Sequence, residues 1–193
     1  MKKIGLLIIT IAFVSMAFTT AKKENITKTS NVTSSTIKWK GYKPTGSHSG
    51  TIQLASGKLE IDGEKLKGGS FVADMSTIKD DDGNARLEGH LKNQDFFEVD
   101  KYPTSTFVIT SVSNIGSKTM VTGDLTIKDV TKSITFPATV EVKSGVATLT
   151  SDTFKINRAH FNVKYQSKSF FDDLKDKFVD DDFDLQVIIV AKV

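Results

Sequence analysis

The chain has 193 residues, 38% hydrophobic and 25% charged, with a formal net charge of +3 and no cysteine. Disulfide scaffolds, thiol chemistry and a lipid-modified cysteine anchor are excluded, so stability must come from a hydrophobic core, and one domain is the expected count at this length. Of the 26 basic residues, Lys2 and Lys3 fall in an N-terminal leader, which leaves 24 against 23 acidic ones, and only Arg86 and Arg158 are arginines. That balance argues against nucleic acid as a partner, since phosphate recognition needs clustered cations.

Met1-Lys2-Lys3, an apolar run from Ile4 to Phe18 and small residues at Ala17 and Ala21 read as a signal peptide over 1–21, with cleavage after Ala21 preferred to Ala17. The run is short for a spanning helix, which needs roughly 20 apolar residues. The expectation is a periplasmic or secreted protein with no transmembrane anchor in the mature chain. Residues 22–35 are mostly Lys, Asn, Ser and Thr, with Ile26 and Val32 the large apolar groups, and are expected to be a disordered lead-in. The folded domain is expected over 36–193.

From Thr36 onward apolar residues recur with a period of two: Ile37 and Trp39, Ile52 and Leu54, Phe71, Ala73 and Met75, Phe107 and Ile109, Leu125 and Ile127, Ile134 and Phe136, then Leu185, Val187 and Ile189. Such alternation predicts strands with one buried face. Ser56-Gly57, Asp62-Gly63, Gly68-Gly69, Asn114 to Gly116, Lys128-Asp129 and Ser144-Gly145 punctuate the runs as hairpin or bulge positions. The expected class is all-β, an antiparallel up-and-down barrel, with a two-sheet sandwich as the alternative that periodicity does not separate. Two short helices are expected as insertions. One spans roughly 84–92, with Asp82 or Asn84 as N-cap. The other spans roughly 169–177, with Ser169 as cap and Phe170, Leu174 and Phe178 on one stripe.

Thirteen phenylalanines, eleven of them beyond the leader, suit a packed core or an apolar cavity. A barrel of about eight strands can hold one small ligand where side chains do not fill it. His48, between Gly46 and Gly50, is the foremost polar candidate for meeting a head group. His90 and His160 are weaker, and the three histidines lack the close spacing of a transition-metal site. Asp80, Asp82 and Asn84 imitate the start of a calcium loop, but Ala85 and Leu91 stand where that loop needs its glycine and its last carboxylate. No metal site and no catalytic residue is expected. An acid and base pair drawn from Asp95, Glu98 and Asp100 has no geometry fixed by its spacing.

The segment HLKNQDFFEVDKYPTSTF at 90–107 resembles the signature of the YceI-like proteins, a family of polyisoprenoid-binding, lipocalin-like barrels. Ile37-Lys38-Trp39 with His48-Ser49-Gly50, the hairpin Gly123 to Ile127 through Val130-Thr131-Lys132, and Phe154-Lys155-Ile156-Asn157-Arg158 agree in order. Asp129 and Asn162 stand where the family pattern has glycine, and both tolerate left-handed backbone angles. The resemblance implies a lipocalin-like β-barrel that carries or stores a long-chain amphiphile such as a polyisoprenoid, an isoprenoid quinone, or a fatty acid or amide. It implies Trp39, Phe71, Phe96, Phe97 and Phe107 near the lipid, with His48 and Arg158 toward the head group. No cofactor is expected beyond a bound lipid such as an isoprenoid, and a homodimer is left open. The alternatives are an enzyme transforming a lipid in the same cavity, or an envelope stress or interaction protein with a filled barrel.

Overall fold

The computed structural model describes residues 28–193, so the expected signal peptide and residues 22–27 of the lead-in lie outside the described residues. Nine strands run in chain order: β1 (Lys28–Lys43), β2 (Gly46–Asp62), β3 (Lys65–Asp80), β4 (Thr104–Ile115), β5 (Lys118–Ile127), β6 (Val130–Lys143), β7 (Val146–Ser151), β8 (Phe154–Asn157) and β9 (Asp182–Lys192), with helix α1 (Ala85–Lys92) between β3 and β4. Each strand from β1 to β7 pairs antiparallel with its sequence neighbours, β7 pairs with β9, and β9 returns to β1. The sheet is therefore closed, and the sandwich alternative falls away.

β7 and β8 act as one interrupted strand. Leu185 and Asp184 pair with Trp39 and Lys40 on one edge of β9 and with Phe154 and Lys155 on the other. Thr150 pairs with Ile188 along that second edge, so β8 continues the line of β7 and the barrel counts eight staves.

Local chemistry explains the tight turns. Lys128 and Asp129 (φ 50° and 59°), and Ser144 and Gly145 (φ 50° and 77°), form two-residue loops with both central residues left-handed. Such loops match the twist of the flanking strands. Asn162 is also left-handed, at φ 59°, and ends a 3-10 turn over Arg158–Phe161. Ser56-Gly57 and Gly68-Gly69 lie within strands, beside register shifts between Leu54 and Ser56 and between Glu60 and Ile61. They bend the barrel wall rather than reverse the chain.

Two expectations need correction. Residues 28–35 are not lead-in but the first half of β1: Lys28 to Asn31 pair with β2, and Val32, Ser34 and Ser35 with β9. Val32 packs on the core, and backbone pairing, first with β2 and then with β9, outweighs the polar composition. The second helix is also absent from 169–177. Asp173 and Lys175 adopt left-handed angles (φ 56° and 50°), which interrupts α-helical hydrogen bonding, and only a 3-10 turn at Lys175–Lys177 remains. Phe170 and Phe171 are 41% and 49% exposed, and Ser169 Oγ donates to Asp181 instead of capping a helix.

The barrel interior is packed at one end and hollow at the other. Leu59, Ile61, Leu66, Val121, Ala138, Ala147, Leu149 and Ala191 fill the packed end. At the hollow end, α1 and the loops 93–103 and 158–181 lie across the mouth.

Candidate functional site

Phe71, Phe107, Phe136 and Phe154 belong both to the packed core and to the wall of an internal cavity, and so form its floor. Phe107 and Phe136 have ring centroids 5.6 Å apart, and Phe136 stacks on Phe154 at 4.4 Å with an interplanar angle of 8°. Gly123 pairs with Ile109, and the ring of Phe107, one step along the same face of β4, lies diagonally over it. A Cβ there would stand 2.7 Å from Phe107 Cε2 and 2.5 Å from the Val108 oxygen, so the ring takes the space that glycine leaves. Gly50 does the same for Trp39, whose Cζ2 would lie 2.7 Å from an added Cβ.

Above the floor the cavity has a volume of about 380 Å³. Its middle is lined by Trp39, Ile52, Leu54, Ala73, Met75, Ile78, Leu125, Ile127, Leu185, Val187 and Ile189 from five strands. All but Ile78 are inward positions of the period-two pattern; Ile78 follows the register shift between Thr51 and Gln53, and the void is within the size range of ligand sites.

The mouth is built by α1 and the two loops. Asn84 accepts from Leu87 N–H at 3.1 Å and starts the helix; Leu87, His90 and Leu91 then face the cavity at i, i+3 and i+4. Glu88 on the same helix is buried and accepts from Lys79 Nζ (2.9 Å) and Asp80 N–H (3.2 Å), which ties α1 to β3. The Lys79 hydrogen bond, then that from Asp80, holds the Glu88 carboxyl below its usual pKa. Phe96 is buried beneath the mouth, with His90 edge-on at 5.0 Å, Tyr165 at 5.2 Å and Phe97 at 6.5 Å. His90 Nε2 lies 3.1 Å from Asp95 Oδ2, and its ring also meets Tyr165 edge-on at 4.6 Å.

Arg158 is 4% exposed and works mainly as a strap. Its Nε donates to the Asp180 carbonyl (2.9 Å), Nη1 to Val163 (2.9 Å) and Nη2 to Val179 (2.8 Å), while Nη2 lies 3.5 Å from Asp181 Oδ1. Burial lowers its pKa, and Asp181 and Asp180 oppose that change. The guanidinium reaches the cavity over the Phe96 ring, 5.8 Å from its centroid. Asp181 is pushed up by burial, but hydrogen bonds from Ser167 and Ser169 and the charge of Arg158 outweigh this and hold it low.

Next to this strap, where Asp180 N–H donates to the Tyr42 carbonyl, Tyr42 donates to Asp184 Oδ2 (2.6 Å) and Lys155 Nζ to Asp184 Oδ1 (3.0 Å), joining β1, β8 and β9. The Tyr42 hydrogen bond and then Lys155 keep Asp184 below the usual carboxylate pKa, and the same contact with Asp184 raises the Tyr42 phenol.

The fold thus brings Trp39, His48, Phe71, Phe96, Phe97, Phe107 and Arg158 to the wall of one cavity. Phe71 and Phe107 lie at its floor, Phe96 and Phe97 below the mouth. The donors of Arg158 are turned largely to backbone. Sequence reasoning passed over Phe136, Phe154, Tyr42, Tyr165 and Gln166, and ranked His90 low, though all six line the cavity. For His90 a signal existed, since it shares a helical face with Leu87 and Leu91. Tyr165 and Gln166 sit in an irregular loop and had none.

A UPF0312 protein of Pseudomonas putida is 40% identical over 91 residues, 47% of this chain and 47% of that protein. A UPF0312 protein of Pseudomonas fluorescens is 34% identical over 116 residues, 60% of this chain and 57% of that protein. The matched part spans about half the length of these curated relatives. Among solved structures, Burkholderia cenocepacia BcnA superimposes with a TM-score of 0.68 at 24% identity, covering 82% of this chain and 96% of that one. A polyisoprenoid-binding domain from Saccharophagus degradans, implicated in plant cell wall breakdown, gives 0.62 at 13% identity, covering 86% and 98%. At these identities the superpositions establish a shared fold. The YceI-like domain matches residues 25–191, from before β1 into the end of β9, and the chain belongs to the YceI-like family.

Proposed function

We propose that this protein holds one long-chain amphiphile, with the tail in the barrel and the polar head at the mouth. The observation that carries this reading is the cavity, about 380 Å³ of mostly apolar space above an aromatic floor, inside a barrel whose other end is packed. A filled barrel, as the interaction-protein reading requires, does not accommodate it. Each buried methylene contributes about 0.8 kcal/mol, so one five-carbon isoprene unit contributes on the order of 4 kcal/mol before ordering costs. A few such units reach micromolar affinity without a dense set of polar contacts. Polyisoprenoids, isoprenoid quinones and fatty acids or amides all fit this chemistry. The polyisoprenoid-binding neighbour of like fold supports the first class.

His48, His90, Tyr165 and Gln166 are the polar side chains proposed to meet the head group. Trp39, Phe71, Phe96, Phe97 and Phe107 are proposed to contact the tail. The leader at 1–21 supports a periplasmic or secreted carrier or store.

Organic extraction of the purified protein, before and after incubation with a polyisoprenoid or a fatty acid, followed by mass spectrometry, tests the proposal. It expects close to one lipid per barrel and a raised Tm for the loaded protein. Failure of every class to bind stoichiometrically would refute it.

A further inference from the structure

His48, near the start of β2, and Asp80, at the end of β3, meet in an arrangement that contact with a lipid head group does not by itself explain. The register pairs Gly50 with Asp80, and Asp81 N–H donates to the Ser49 carbonyl, so the turn after β3 is brought beside His48. His48 Nδ1 lies 3.4 Å from Asp80 Oδ1, yet neither atom has a hydrogen-bond partner, and both are buried. The Asp80 side chain is fully buried, with 0% exposure, and its other oxygen accepts from Asn84 N–H at 3.2 Å. Lys79, the nearest cation in sequence, is engaged by Glu88. Asp82, on the exposed turn, completes a group in which one ligand atom each of His48, Asp80 and Asp82 lie within 4.8 Å of one another.

We propose that His48, Asp80 and Asp82 form a binding site for a divalent transition-metal ion such as Zn²⁺. Two donors about 2.0 Å from a tetrahedral ion stand about 3.3 Å apart, so the His48–Asp80 spacing already fits the ion better than it fits a hydrogen bond. An imidazole with two carboxylates is a donor set that Zn²⁺ accepts, and it provides two negative charges against the ion's two positive ones. Asp82 closes the set by a side-chain rotation at an exposed turn. The two orphaned buried atoms, each costly to leave unpaired, gain a common partner. Sequence spacing concealed the site, because His48 stands 32 residues before Asp80 and neither belongs to a compact metal motif. His48 also lines the lipid cavity, which places the ion at the rim.

Tag-free protein titrated with Co²⁺, as a spectroscopic stand-in, and with Zn²⁺ by calorimetry tests the site. The proposal expects one equivalent of Co²⁺ with the visible absorption of four-coordinate geometry, displaced by Zn²⁺. His48→Gln and Asp82→Ala are each expected to weaken Zn²⁺ binding about tenfold or more. Asp82 is exposed, so its variant keeps the fold and remains informative. Absence of saturable uptake, or uptake unchanged in both variants, would overturn the assignment and leave His48 and Asp80 as a plain ion pair. Lipid extraction from the same samples reads the cavity separately, so either reading fails without the other.

Discussion

Arg158 shows how one side chain positions the mouth. Three of its N–H groups satisfy carbonyls at Val163, Val179 and Asp180, and so pin both ends of the 158–181 loop. Arg158→Ala is expected to cost about 3–5 kcal/mol in urea unfolding, because buried partners lose their charge-assisted bonds. Arg158→Lys is expected to recover little, since an ammonium does not reproduce the planar fork. Gly123→Ala is expected to cost about 1–3 kcal/mol by forcing the Phe107 ring from its place over β5. The arginine was legible in the sequence as one member of a family segment. Its job was not, because the carbonyls it holds lie 5, 21 and 22 residues away along the chain.

At the scale of elements, the strands were legible and the irregular segments were not. Alternation marked the inward face of β3, β5, β6 and β9, and the Asn84 cap announced α1. The stripe Phe170, Leu174, Phe178 has helical spacing too, yet its segment is held by side-chain contacts of another kind. Lys164 lies over Phe170 (4.9 Å) and Lys168 over Phe178 (3.3 Å), while Arg158 draws the following backbone inward. Tertiary contacts overrode local periodicity there, as they did in the polar first half of β1. Asn84→Ala removes the side-chain acceptor for Leu87 N–H and is expected to cost about 1 kcal/mol. Because α1 carries Leu87, His90 and Leu91 at the mouth, hydrogen exchange in that variant should rise first in residues 85–92.

For the whole molecule, the barrel is closed by β1 on β9, and the rim network of Tyr42, Lys155 and Asp184 joins strands from both ends of the chain. Asp184, Asp181 and Glu88 all have pKa values below their ordinary ones. A carboxyl lowered by folding stabilises the native state above its unfolded pKa, about 4, and that contribution is lost as pH falls through the lowered native value. Stability from these groups should be fully present at neutral pH and decline only below about pH 4, which acid titration followed by circular dichroism would show. The hollow end implies an equally global effect, since a ligand that binds only the closed barrel raises its Tm with concentration.

Trp39 is the sole tryptophan and lines the cavity, so its fluorescence reports occupancy directly. Titrating a polyisoprenoid or a fatty acid into the protein should change that fluorescence saturably with an end point near one ligand per chain. Ala73→Phe, which fills the cavity from its wall, should abolish the change while the protein stays folded. No saturable change with either class, or an undiminished change in Ala73→Phe, would contradict a lipid held inside the barrel.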